Sequence, residues 1–231
     1  MPRLAELLEY LAQPGLEDIW VLLDIKVCRT SPFTQAHADA IQLDNNADDV
    51  MRLIGDTIRS VPPSPSRPWH KRIVLGCWAA KFLPLCSRYL PGFPISHIGF
   101  STLIASHFFM VPNIALNMAQ PMLMTPWGRH FIRRAQSDGR PVYAWTKVNE
   151  ESRMRWDMRH GLDGVVTGDP KLFLEIRKSW HEGTKDSVTM TTWLDVLRYN
   201  FFCLIYAFLF QCWFGFQGKS LVKIREEEEE Q

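Results

Sequence analysis

The chain has 231 residues, enough to bury a substantial core as one domain. It is 46% hydrophobic and 22% charged with a net charge of +1, so no basic excess recruits nucleic acid. Five cysteines, odd in number and lacking C-x-x-C spacing, indicate neither a zinc site nor a disulfide framework and fit a reducing compartment. No charged-then-apolar signal sequence opens the chain.

Leu4, Leu7, Leu8 and Leu11 recur at helical spacing, and Pro14-Gly15 ends that helix. The run IWVLLDIKV, Ile19 to Val27, is apolar except for Asp24 and Lys26, as in a strand buried on both faces. A carboxylate and an ammonium two residues apart point to the same side near the strand's end and need partners or solvent there. On the residues alone the favoured reading is a structural ion pair at a barrel mouth. Ser31 to Asn46 is a polar loop, and 48–58 is a helix with Val50, Leu53, Ile54 and Ile58 on one face. VPPSPSRP, Val61 to Pro68, is an irregular surface loop. Strands are predicted over 72–76, with Cys77-Trp78 at the end, over 95–99 and over 113–118. Between and after them lie a helix from Ala79 to Tyr89 disturbed by Pro84, one capped by Ser101 and running to Phe109, and one within 122–136.

Arg140 to Pro170, RPVYAWTKVNEESRMRWDMRHGLDGVVTGDP, reads as strand, helix and strand. The strands are 142–146 and 162–167. Asn149 is the expected helix cap, Glu150 and Glu151 favour the positive end of the helix dipole, and Glu151 can pair with Arg155. His160-Gly161 closes the helix, and Gly168-Asp169-Pro170 turns into the next one. A β-α-β unit of this size points to parallel strands.

A strand ending in aromatic-Trp-Thr, a capped helix and then Gly-Leu-Asp-Gly-Val-Val-Thr-x-Asp-Pro resembles the last two strands of the glycerophosphodiester phosphodiesterase family. The resemblance implies an α/β fold, a (β/α)8 TIM barrel with its site at the C-terminal strand ends. It also implies roles for Asp24-Ile25-Lys26, which stands where the family carries Glu-x-Lys. Asp24 then helps bind a divalent ion, Mg²⁺ or Ca²⁺, with a shorter reach than Glu, and Lys26 faces the substrate phosphate. Six strands are found where the barrel needs eight, and the resemblance begins about a third of the way into the barrel. The family's His-Arg-Gly, Glu-x-Asp and His-Asp motifs occur nowhere in the chain. The expectation is an incomplete barrel of about six βα units over 1–178, inactive as written. Two open sheet edges leave it exposed to association.

Trp145, at a strand end, is core on the bland reading and a wall of the substrate pocket on the family reading. Asp163 suits a turn. The seven histidines are read as structural or solvated, since the family's two acid/base histidines belong to the absent motifs. His160 closes a helix, and His97 and His107 have no identifiable carboxylate orienter.

After a polar connector at 179–192, residues 193–217 form a hydrophobic helix, and 218–231 are a charged tail ending in EEEEEQ. From Phe201 to Phe216 only Gln211 is strongly polar, about 24 Å of helix at 1.5 Å per residue. From Trp193 the length is about 36 Å, against a hydrocarbon core of about 30 Å. Membrane association through 193–217 is expected over burial in a soluble core, with spanning and shallow insertion both open. A barrel with such an anchor resembles the fungal phosphatidylglycerol phospholipase C branch. That implies a membrane-associated, intracellular protein with a cytosolic barrel, acting on a glycerophospholipid. The alternative is a non-catalytic membrane-anchored binding or scaffold protein.

Overall fold

A computed structural model describes residues 3–26, 46–145, 148–180, 193–202 and 205, in two compact units, Met1–Ile95 and Ser96–Gln231. Most of the expected 31–46 loop, Thr146, nearly all of the connector, the chain from 206 onward, and His37 and His181 lie outside the described residues.

The first unit contains α1 (Leu4–Leu11), β1 (Val21–Ile25), α2 (Ala47–Ser60), β2 (Ile73–Cys77), α3 (Leu83–Tyr89) and the first residue of β3 (Ile95–Gly99). β1 and β2 are parallel, with Val21 opposite Ile73 and Asp24 opposite Gly76. Their apolar residues share a core in which Leu8, Met51, Leu75, Cys77 and Cys86 are wholly buried. Asn46 starts α2 by accepting from the Asp48 amide at 3.2 Å. The expected 79–89 helix is interrupted near Pro84: Ala80–Phe82 is a 3-10 turn, and α3 starts at Leu83 with Pro84 in its first turn, where the missing N–H has no partner to lose. Arg72, 1% exposed, donates to the carbonyls of Leu11, Leu16 and Ile19 at 3.0, 2.6 and 3.0 Å. It thereby ties down the segment that feeds β1.

The second unit contains the rest of β3, then α4 (Thr102–Ala105), β4 (Ile114–Ala119), α5 (Gln120–Leu123), α6 (Pro126–Ser137) and β5 (Val142–Trp145). α7 (Glu151–Arg159), β6 (Gly164–Val165), α8 (Pro170–Lys178) and α9 (193–202) follow. β4 pairs with β5 and β5 with β6, all parallel. Among the described residues the strands number six and keep the order of the chain, as in the wall of a (β/α) barrel. The helix expected within 122–136 is α6, started where Thr125 accepts from the Gly128 amide and Pro126 occupies the first turn. Asn149 is not the cap of α7; Glu150 holds that position without a side-chain bond. The Asn149 side chain instead accepts from Thr167 Oγ1 at 2.8 Å and the Gly168 amide at 2.9 Å, fastening the turn after β6. Glu151 does pair with Arg155, at 2.7 Å, and Gly161 closes the helix with φ +64°.

A polar group is buried where α5 meets α7. Gln120 donates to Asp157 Oδ2 at 2.8 Å and to the Arg153 carbonyl at 3.0 Å. Burial pushes the Asp157 carboxyl up to about 8, with the Gln120 hydrogen bond and the Arg153 charge acting in the opposite direction. The ordinary value is 3.8, so the folded chain holds an extra proton between that pH and about 8. Stability from this group is complete at lower pH and is lost as pH rises through about 8. The slope across that window is about 1.4 kcal/mol per pH unit. Asp157→Asn is expected to flatten the fall in urea midpoint between pH 5 and pH 8. Equal slopes in the two proteins would contradict this.

Candidate functional site

Asp24 and Lys26 stand at the C-terminal end of β1. The parallel register sets Cys77 against Ile25, so the next residue along β2, Trp78, arrives beside the pair. Its amide donates to the Ile25 carbonyl at 3.4 Å, extending the ladder by one step. Lys26 Nζ lies 2.8 Å from Asp24 Oδ2, and the Trp78 indole N–H donates to Asp24 Oδ1 at 2.6 Å. The same ammonium sits 5.3 Å from the centre of the Trp78 ring. The Asp24 carboxylate is thus fixed through both oxygens, and it fixes Lys26 in turn.

The side chains of Lys26 and Asp24 are 57% and 48% exposed. A pair that open to water contributes less than about 1 kcal/mol to stability. What the arrangement provides is an oriented, solvent-facing ammonium at a strand end, the geometry in which one charge can bind an anion's oxygen.

For a divalent ion the fit is poor. Such ions take six or more oxygen ligands. Among the described residues no three His, Cys, Asp or Glu side chains gather, and Asp24 is a single carboxylate already engaged by Lys26 and Trp78. Asp24 could contribute one oxygen to an ion held by other groups.

Trp145 ends β5 in the second unit. Its indole N–H donates to the Gly99 carbonyl at 3.2 Å, and with Phe100 and Tyr199 it packs against Ala119 and Met122. It is half-buried, compatible with both readings of the residue. Asp163 is structural: its Oδ2 accepts from the Val142 amide at 2.8 Å, joining the starts of β5 and β6. His160 is structural as well, with Nδ1 2.8 Å from the Trp156 carbonyl and its ring stacked on Trp156. His97 is 2% exposed and stacked on Phe108 at 3.7 Å.

The residue that sequence reasoning passed over is Trp78. It was visible as a strand-end aromatic, but its partner is 54 positions away, and only the parallel register of β1 and β2 connects them.

No helix among the described residues is long and apolar enough to cross a membrane. The described part of the expected 193–217 helix is α9, and it does not leave the protein as a free anchor. Val196 is 1% exposed, and Asn200 donates to the Pro121 carbonyl at 2.9 Å.

Residues 9–172 match the model of the glycerophosphoryl diester phosphodiesterase family, close to the span over which the strand motifs resemble it. No curated protein matches the chain. Among solved structures, the chain is similar to a Silicibacter pomeroyi DSS-3 protein assigned as a glycerophosphoryl diester phosphodiesterase. The identity is 21%, the TM-score is 0.55, and the match covers 78% of this chain and 58% of that one. At that identity the likeness establishes the fold, and the chain spans little more than half the length of that structure. With 164 consecutive residues matched, well over half of the sequence, the chain belongs to the glycerophosphoryl diester phosphodiesterase family.

Proposed function

We propose that the chain carries the phosphate-facing corner of a metal-dependent phosphodiester hydrolase of glycerophospholipid metabolism. The substrate is phosphatidylglycerol, the products are diacylglycerol and glycerol phosphate, and the branch is the phospholipase C-like one. The observation that carries the reading is the Asp24–Lys26–Trp78 cluster at the C-terminal end of β1, where a barrel of this family works. When a phosphodiester arrives, the Lys26 ammonium is shared between Asp24 and a non-bridging phosphate oxygen and offsets the charge that builds there. Asp24 keeps the ammonium aimed, and Trp78 keeps Asp24 aimed. Asp24 would give one oxygen to a divalent ion, Mg²⁺ or Ca²⁺, and with ligands from other groups such an ion would supply further charge neutralisation.

Proton transfer is the missing function. The chain has no His-Arg-Gly, Glu-x-Asp or His-Asp sequence, and the cluster offers no acid or base for the leaving alcohol. As given, the chain therefore binds the phosphodiester without cleaving it. Its apolar C-terminal region keeps it on an intracellular membrane with the barrel on the cytosolic side. The test is diacylglycerol release from phosphatidylglycerol vesicles with Mg²⁺ or Ca²⁺ present. Release at the level of buffer is expected. Sustained release that Lys26→Met abolishes would overturn the non-catalytic part and leave the phosphate role intact.

A further inference from the structure

The two sides of α9 differ in what they touch. Val196 is buried, Tyr199 packs with Trp145 and Phe100 against Ala119 and Met122, and Asn200 holds the Pro121 carbonyl. Asp195 adds an ion pair to the buried Arg153 at 3.7 Å. On the opposite side, Leu194, Leu197, Phe201 and Ile205 are 50%, 65%, 68% and 45% exposed. Leu194, Leu197 and Phe201, three and four residues apart, make one stripe along α9. Arg198 is exposed within the same arc.

We infer that this stripe is an interfacial contact that lies flat on a lipid surface, with α9 parallel to the bilayer. The inference rests on the membrane association proposed above and specifies how it is made. A helix held along one side by Val196, Tyr199 and Asn200 cannot begin a perpendicular span at Trp193, because a span would pull those groups off their partners. A helix with one apolar face, one protein-bound face and a cation at the margin has the pattern of an interfacial helix. Lipid is the occupant because of the chain that follows. Ile205 leads into YAFLFQCWFGF, apolar apart from Gln211, and then Lys219, Lys223 and Arg225, cations suited to anionic headgroups.

The location of α9 gives the contact a direction. Ala119 is the last residue of β4, Trp145 the last of β5, and Pro121 follows β4 within α5. The helix therefore sits at the C-terminal ends of these strands, and binding through the stripe turns that end of the unit toward the lipid.

The experiment is flotation of the full chain with vesicles of phosphatidylglycerol and phosphatidylcholine, comparing wild type with the Leu197→Glu/Phe201→Glu pair. Both side chains are exposed, so the fold is expected to survive; circular dichroism checks this, and Leu197→Ser/Phe201→Ser replaces the pair if it does not. The expected result is at least a tenfold loss of vesicle partitioning, with wild-type binding retained by Leu197→Met/Phe201→Leu. Equal flotation of wild type and the charged pair would overturn the stripe while leaving membrane association standing. Absence of flotation for wild type would overturn both, and concentration-dependent self-association in the same sample would assign the stripe to a second copy.

Discussion

Arg72→Met is expected to destabilise the first unit by roughly 2–6 kcal/mol, about 1–3 kcal/mol for each buried carbonyl left without a donor. The guanidinium donates to three backbone carbonyls spread over the end of α1 and the approach to β1, and it lies 5.2 Å from the centre of the Trp69 ring. Methionine fills much of the volume but donates nothing, so the Leu11 and Ile19 carbonyls lose the Arg72 donor, while the Leu16 carbonyl keeps the Ile19 amide at 3.1 Å. Its own backbone carbonyl accepts from the Val21 amide at 2.7 Å, so the same residue sets the first step of the β1–β2 ladder. Slackening there shifts Asp24 and Lys26 relative to Trp78. Urea denaturation checks the stability loss, and a change below about 1 kcal/mol would show that water satisfies the carbonyls equally well. Arg140 repeats the device in the second unit. It precedes β5 and donates to the carbonyls of Phe109 and Val111, at 2.9 and 2.7 Å, just before β4.

Neither arginine clamp could be read from the sequence. Arg72 looks like the polar first residue of a strand and Arg140 like a polar residue between elements, and their partners are 29 to 61 positions away. The strands were legible for the opposite reason. Short apolar runs such as IVLG and IALNMA carry their burial within themselves, and the observed strands over 73–77 and 114–119 fall within a residue of the expected ones. Asn149 shows where local rules stop. A cap residue beside a helix start satisfied the pattern, yet its side chain found better partners at Thr167 and Gly168 across the unit. In α9, Val196 and Leu197 are equivalent in any hydropathy profile. One is buried and the other 65% exposed, a distinction that only docking onto Pro121 and its neighbours creates.

The site was legible in part. Asp24 and Lys26 are the two charges interrupting an apolar strand, and the structure brings them within 2.8 Å. Their orientation was not legible, because Trp78 supplies it from the neighbouring strand.

The central claim is that Lys26 is an aimed phosphate ligand, and ³¹P NMR titration of sn-glycerol 3-phosphate tests it most directly. The full-length wild-type chain and Lys26→Met would be compared in metal-free buffer. A charge-assisted hydrogen bond to phosphate contributes roughly 1.5–3 kcal/mol, so Lys26→Met is expected to weaken binding by about 10- to 100-fold. Without metal, Asp24→Asn removes a like charge facing the phosphate but also the partner that aims the ammonium, so the two effects offset and its affinity is expected to stay close to wild type. Weakening in the lysine variant alone is the result this account predicts. Equal affinity of wild type and Lys26→Met, or weakening by Asp24→Asn alone, would contradict it and leave the pair as a surface salt bridge.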